Sequence, residues 1–168
     1  MAVTVETLKA LVEDELTTVL DTRVVAHIRR MLVEPYVLLR SWDYGEPGQE
    51  YPCWIVLKDD PSGSAIAYCE YGFGPHCPWG LVWSGAEERH RSMGMDCSWY
   101  TRFLNAFFEA MACVGLPIWR VYVVELDGKR TAVTDESEWE VTWSRIDDLR
   151  RSDPTRRYDV GHSIAYGC

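Results

Sequence analysis

At the start of the chain, apolar positions recur at helical spacing. Val5, Leu8, Leu11, Val12 and Leu16 share one side, with Glu6, Glu13, Asp14 and Glu15 mostly opposite. This predicts an amphipathic helix over residues 4–20, with Thr4 as its N-cap. Asp21 caps a second helix with the stripe Val24, Val25, Ile28, Met31 and Leu32, and Pro35 is expected to end it. Beyond Pro35 the period shortens. Residues 36–42, 53–58, 65–71 and 81–84 read as strands. Between them lie a Gly- and Pro-bearing turn at 44–49, the turn Asp59-Asp60-Pro61-Ser62-Gly63, and the segment Gly72 to Gly80. Hairpins this close together predict an antiparallel meander.

The segment 98–114 returns to helical spacing. Trp99, Phe103, Ala106, Phe107, Ala110 and Val114 share a face that Phe108 and Met111 widen, and Gly115 and Pro117 close it. A face so rich in rings is expected to lie on the sheet. Residues 119–125 form the strongest strand signal, Asp127-Gly128 the residue pair of a tight hairpin, and 130–133 its return. At 138–143, Trp139, Val141 and Trp143 alternate with Glu138, Glu140 and Thr142, which predicts a strand with one wet face. Residues 146–151 suit one helical turn, and 158–166 an edge strand after a polar connector. The pattern predicts an α+β fold in a single domain over 1–168. Residues 1–34 form a helical arm, followed by a meander sheet with the 98–114 helix packed on it.

One stretch departs from ordinary turn chemistry. Tyr71-Gly72-Phe73-Gly74-Pro75-His76-Cys77-Pro78-Trp79-Gly80 holds three Gly and two Pro among rings, a His and a Cys. Turns usually carry small polar residues, so a stiffened loop of rings needs either a core or a partner to meet them. Tyr71, Phe73, His76, Trp79 and Trp83 are therefore the candidate binding residues, with Phe73 and Trp79 as anchors of the kind that dominate interfaces.

Charge sharpens the picture. The formal net charge is −9, which repels phosphate backbones and argues against nucleic-acid binding, while favouring a basic protein partner through steering. No apolar run approaches the roughly 20 residues of a membrane span. Met1 to Leu20 lacks the basic start and apolar centre of a secretory signal, so a cytoplasmic location is expected. With no such signal, the six Cys are expected to be reduced. No C-x-x-C pair, phosphate loop or dinucleotide fingerprint is present, and no cofactor or metal is expected. His90, Met93, Met95 and Cys97 offer the soft donors that Cu(I) favours, though four such residues gather easily by chance in a short loop.

A catalytic alternative centres on Cys97, placed before the expected helix at Ser98, where unpaired N–H groups would lower a thiol pKa. Trp83-Ser84-Gly85 with Gly94-Met95-Asp96-Cys97-Ser98 resembles the aromatic-Gly-Gly and Asp-Cys-Ser-Gly motifs of bacterial cell-wall cysteine endopeptidases. The resemblance implies Cys97 as nucleophile at a helix start and His162, on a later strand, as base. The chain departs from that pattern at Trp99, where the family has Gly. The fuller expectation is a small acidic protein-interaction domain of immunity or antitoxin type, acting on a basic partner.

Overall fold

A computed structural model describes residues 3–71, 73–84, 92–93 and 98–167. The fold is α+β, with two N-terminal helices followed by a meander sheet. The described residues fall into two compact units. The first runs to Cys113 and takes in Gly167, and the second spans Val114–Tyr166. Among the described residues, no helix is long and apolar enough to cross a membrane.

In the first unit the helices start where their caps place them. α1 (Val5–Leu16) begins on Thr4, whose hydroxyl accepts from the Thr7 N–H while the Thr4 N–H donates to the Thr7 hydroxyl; Leu8, Val12 and Leu16 are buried. α2 (Thr22–Met31) begins on Asp21 and buries Val24 and Ile28. The Arg23 guanidinium hydrogen-bonded to Asp21 holds that carboxyl below its ordinary range. The second helix stops at Met31 and passes directly into β1 (Leu32–Trp42), so Pro35 lies within a strand and does not end the helix. It sits where the register against β2 (Tyr51–Asp59) shifts, the kind of irregularity that tolerates a residue without an N–H.

β3 (Ser64–Tyr68) and β4 (Trp79–Trp83) complete the meander, and β5 (Ser92–Met93) and β6 (Ser98–Tyr100) flank it, in the order β5-β1-β2-β3-β4-β6. All pairings are antiparallel except β1 with β5. Cys53, Ile55, Ala65, Ala67, Cys69 and Val82 form a buried cluster with Leu38, Trp42, Tyr51 and Trp99 packed against it.

The helix expected over 98–114 is present but shorter. Ser98–Tyr100 pairs with β4, α3 runs Phe103–Glu109, and a 3-10 turn follows at Met111–Cys113. Trp99 belongs to the sheet because its pairing partner is Gly80, where an added Cβ would lie 2.7 Å from the indole ring. Only glycine lets that ring approach so closely. α3 packs on β3 and β4 and buries Phe103, Leu104, Ala106, Phe107 and Phe108, each large side chain contributing about 2–3 kcal/mol. Arg102, its N-cap residue, makes no side-chain cap bond. The cap comes from α1 instead: the Phe103 and Leu104 N–H groups donate to the Glu15 carboxylate at 2.9 and 3.0 Å, with Arg102 Nε 3.5 Å away.

In the second unit, β7 (Trp119–Val124) is central between β8 (Arg130–Ala132) and β9 (Arg157–His162). Gly128 takes a φ of +85° in the β7–β8 turn, as a tight hairpin requires. The expected strand at 138–143 is instead the start of α4 (Trp139–Ser152). Its inward positions are Thr142 and Ile146, with Leu149 half-buried, while Val141 and Trp143 are exposed. The alternation of letters therefore did not track burial. Val121, Val123, Ile146 and Tyr158 form this unit's core, and the last strand ends at His162.

Candidate functional site

The β3–β4 connection is a stiff loop at one end of the first unit's sheet. Its base is closed by the Cys69 N–H donating to Pro78 O at 2.8 Å, and within it the Cys77 N–H reaches Phe73 O at 3.2 Å. Gly74 precedes a cis peptide to Pro75. A Cβ at Gly74 would lie 2.5 Å from Glu70 O, so the path admits no side chain there.

This geometry leaves three of the five candidate residues exposed on the loop, two of them carbocyclic rings. Tyr71 is 48% exposed and Phe73 40%. Tyr71 packs on Tyr51 with ring centroids 5.1 Å apart, and Phe73 contacts Trp42 and Trp99, each at 6.2 Å. Trp42 in turn meets Tyr44, 59% exposed, at 5.6 Å. Tyr44 and Tyr51 border the β1–β2 connection, and a Cβ on Gly45 would come within 2.9 Å of the Tyr51 hydroxyl. The two connections thus lie side by side and share one patch of rings. His76 is exposed on the same loop.

The other two candidates lie elsewhere. Trp79 is only 3% exposed, wedged between Tyr68 and Phe103 at 5.0 and 5.3 Å, and serves as core. Trp83 is exposed, but it ends β4 and so stands four strand residues, roughly 13 Å, from Trp79. There the Ser84 N–H donates to Gly63 O, tying that end to the β2–β3 turn. Beside Trp83, an apolar groove of about 220 Å³ is lined by Leu81, Ala110, Met111 and Glu109 among others. Trp42, Tyr44, Tyr51 and Trp99 belong to the same ring patch, and periodicity missed them as candidates. The ring-flanked Gly/Pro turn at 44–49 gathers Trp42, Tyr44 and Tyr51, but nothing in the letters joins it to the 71–80 loop, and Trp99 arrives only by pairing with Gly80.

Carboxylates share the two connections with the rings. Asp43, Glu46, Glu50 and Glu70 are all exposed. From Ser41 to Glu88 the chain carries one cation, Lys58, against eight carboxylates, and Lys58 is paired with Asp60 at 3.0 Å. Arg40, just before this stretch, is buried with its Nη2 donating to Trp83 O at 2.7 Å. Burial, and then the nearby Glu70, raise the Tyr68 hydroxyl pKa.

For the catalytic alternative, Cys97 lies outside the described residues, as do His90 and Met95 of the soft-donor set. The helix that was to activate Cys97 begins at Phe103, after a strand, so Ser98 does not open a helix. His162 ends β9, half-buried beside Trp119 and Tyr166 at 6.0 and 6.1 Å, and burial lowers its pKa. Among the described residues, no group of three His, Cys, Asp or Glu is placed to hold a metal ion. No protein-family model matches the chain, and neither a curated protein nor a solved structure matches it.

Proposed function

We propose that the chain is a small acidic protein-binding domain of immunity or antitoxin type, acting in the cytoplasm by holding a basic protein against its ring patch. The observation that carries this reading is the patch itself: Tyr44, Tyr71 and Phe73 exposed on two adjoining connections, in a stretch dominated by carboxylates. Rings supply contact area at low ordering cost, and the carboxylates supply steering and register. The net charge of −9 opposes nucleic acid as the partner. A stiff loop suits binding because little conformational entropy is lost when the partner arrives.

The test is retention of a partner by the tagged chain in its own cells at low ionic strength, beside a Tyr71→Ser/Phe73→Ser variant. A basic protein should be held by the unaltered chain, lost from the variant, and released near ~1 M salt, where the Debye length is about 3 Å. Recovery of nothing that depends on those two rings contradicts the reading.

A further inference from the structure

Resting on that reading, we infer that the group the patch takes from its partner is an arginine guanidinium, laid on the faces of Tyr71 and Phe73 and paired with a carboxylate at the rim. The second unit of this chain shows the arrangement built from its own residues. The Arg130 guanidinium carbon stands 4.6 Å from the centre of the Tyr122 ring while Nη2 pairs with Asp159 at 3.1 Å. The Arg150 guanidinium carbon lies 5.8 Å from the Trp143 ring centre, with Nη1 3.9 Å from Asp147. In both cases ring and carboxylate are used together.

The first unit carries the same two halves at its patch. Tyr44, Tyr71 and Phe73 are exposed rings, and Glu46, Glu50 and Glu70 are exposed carboxylates on the same two connections. Among the described residues, no Lys or Arg of the chain lies over these rings. An aliphatic anchor would cover the rings but leave the rim carboxylates desolvated and unpaired, at a cost. A lysine ammonium would satisfy charge but is a strongly hydrated point charge with no flat face to stack. A guanidinium is planar, weakly hydrated and forked, so it lies on a ring and still reaches a carboxylate with two N–H groups.

The experiment titrates the full chain with N-acetyl-argininamide, N-acetyl-lysinamide and the neutral isostere N-acetyl-citrullinamide. The readout is the Trp42 indole resonance, assigned by its loss in Trp42→Phe. The arginine probe should shift Trp42 saturably at about millimolar concentration. The lysine probe should bind at least about threefold more weakly, and citrulline should leave the resonance in place. Tyr71→Leu should weaken the arginine response about threefold or more, and Glu70→Gln should reduce its salt sensitivity, both with unchanged circular dichroism. Lysine binding as tightly as arginine, citrulline giving the same shift, or no arginine response at all overturns the assignment. If a basic partner is retained through Tyr71 and Phe73 while arginine holds no advantage, the guanidinium falls and the binding reading stands. If arginine binds as stated but no basic partner depends on the rings, the binding reading falls instead.

Discussion

At the scale of single residues, one glycine, one histidine and one cysteine make the packing testable. Gly80 makes room for the Trp99 ring, so Gly80→Ala places a methyl 2.7 Å from it. We expect a loss of about 1–3 kcal/mol in urea unfolding; an unchanged midpoint would show that Trp99 does not lie there. His162 sets a pH dependence whose sign follows from burial. Its folded pKa lies below the ordinary 6.5, so as pH falls the unfolded chain takes up the proton first. The stability it contributes is complete above about pH 6.5 and is lost as pH drops through the folded value. Thermal midpoints measured between about pH 8 and pH 5 should therefore fall less steeply in His162→Phe than in the unaltered chain, and identical slopes would contradict this. Cys113 works at the other end of the scale: burial pushes its thiol up to about 12. Alkylation of Cys113 in the folded chain at neutral pH should be far slower than in urea, and equal rates would mean that the thiol is not enclosed.

The α1–α3 junction is the clearest test at the scale of elements. Glu15 caps a helix that has no cap of its own, accepting two N–H groups at 2.9 and 3.0 Å. Glu15→Gln should cost about 1–2 kcal/mol in chemical denaturation, whereas Glu13→Gln, at an exposed ion pair, should cost under about 1 kcal/mol. Elements whose signals are local were legible in the letters. Thr4 and Asp21 mark their helices, and Asp127-Gly128 and Asp59 to Gly63 mark their hairpins. Elements decided by distant partners were not. Trp99 stands four residues before Phe103, which satisfies helical spacing, and only pairing with Gly80 across β4 makes it a strand residue. Over 138–143 the window is too short to separate a period of 2 from one of 3.6. The spacing Trp139, Thr142, Ile146, Leu149 was equally available, and it is the one burial follows.

On the scale of the whole molecule, the ring patch that we propose as a binding surface is a product of register rather than of any one motif. Tyr71 and Phe73 were legible as rings on a Gly- and Pro-stiffened loop. Trp42, Tyr44 and Tyr51 were not, because they belong to another connection that the β1–β2–β3–β4 meander brings alongside. Trp79 is as aromatic as Phe73 but is the first residue of β4, where Phe103 of α3 covers it. What the meander assembles is a patch of rings among carboxylates in an acidic chain, and we propose that it serves as a recognition surface. The decisive comparison is hydrogen exchange on the chain alone and on its complex with a basic protein retained by it. Added protection is expected in two segments, 42–51 and 69–78, with α1, α2 and α4 unchanged. Protection confined to those helices, with both connections exchanging as in the free chain, would contradict it.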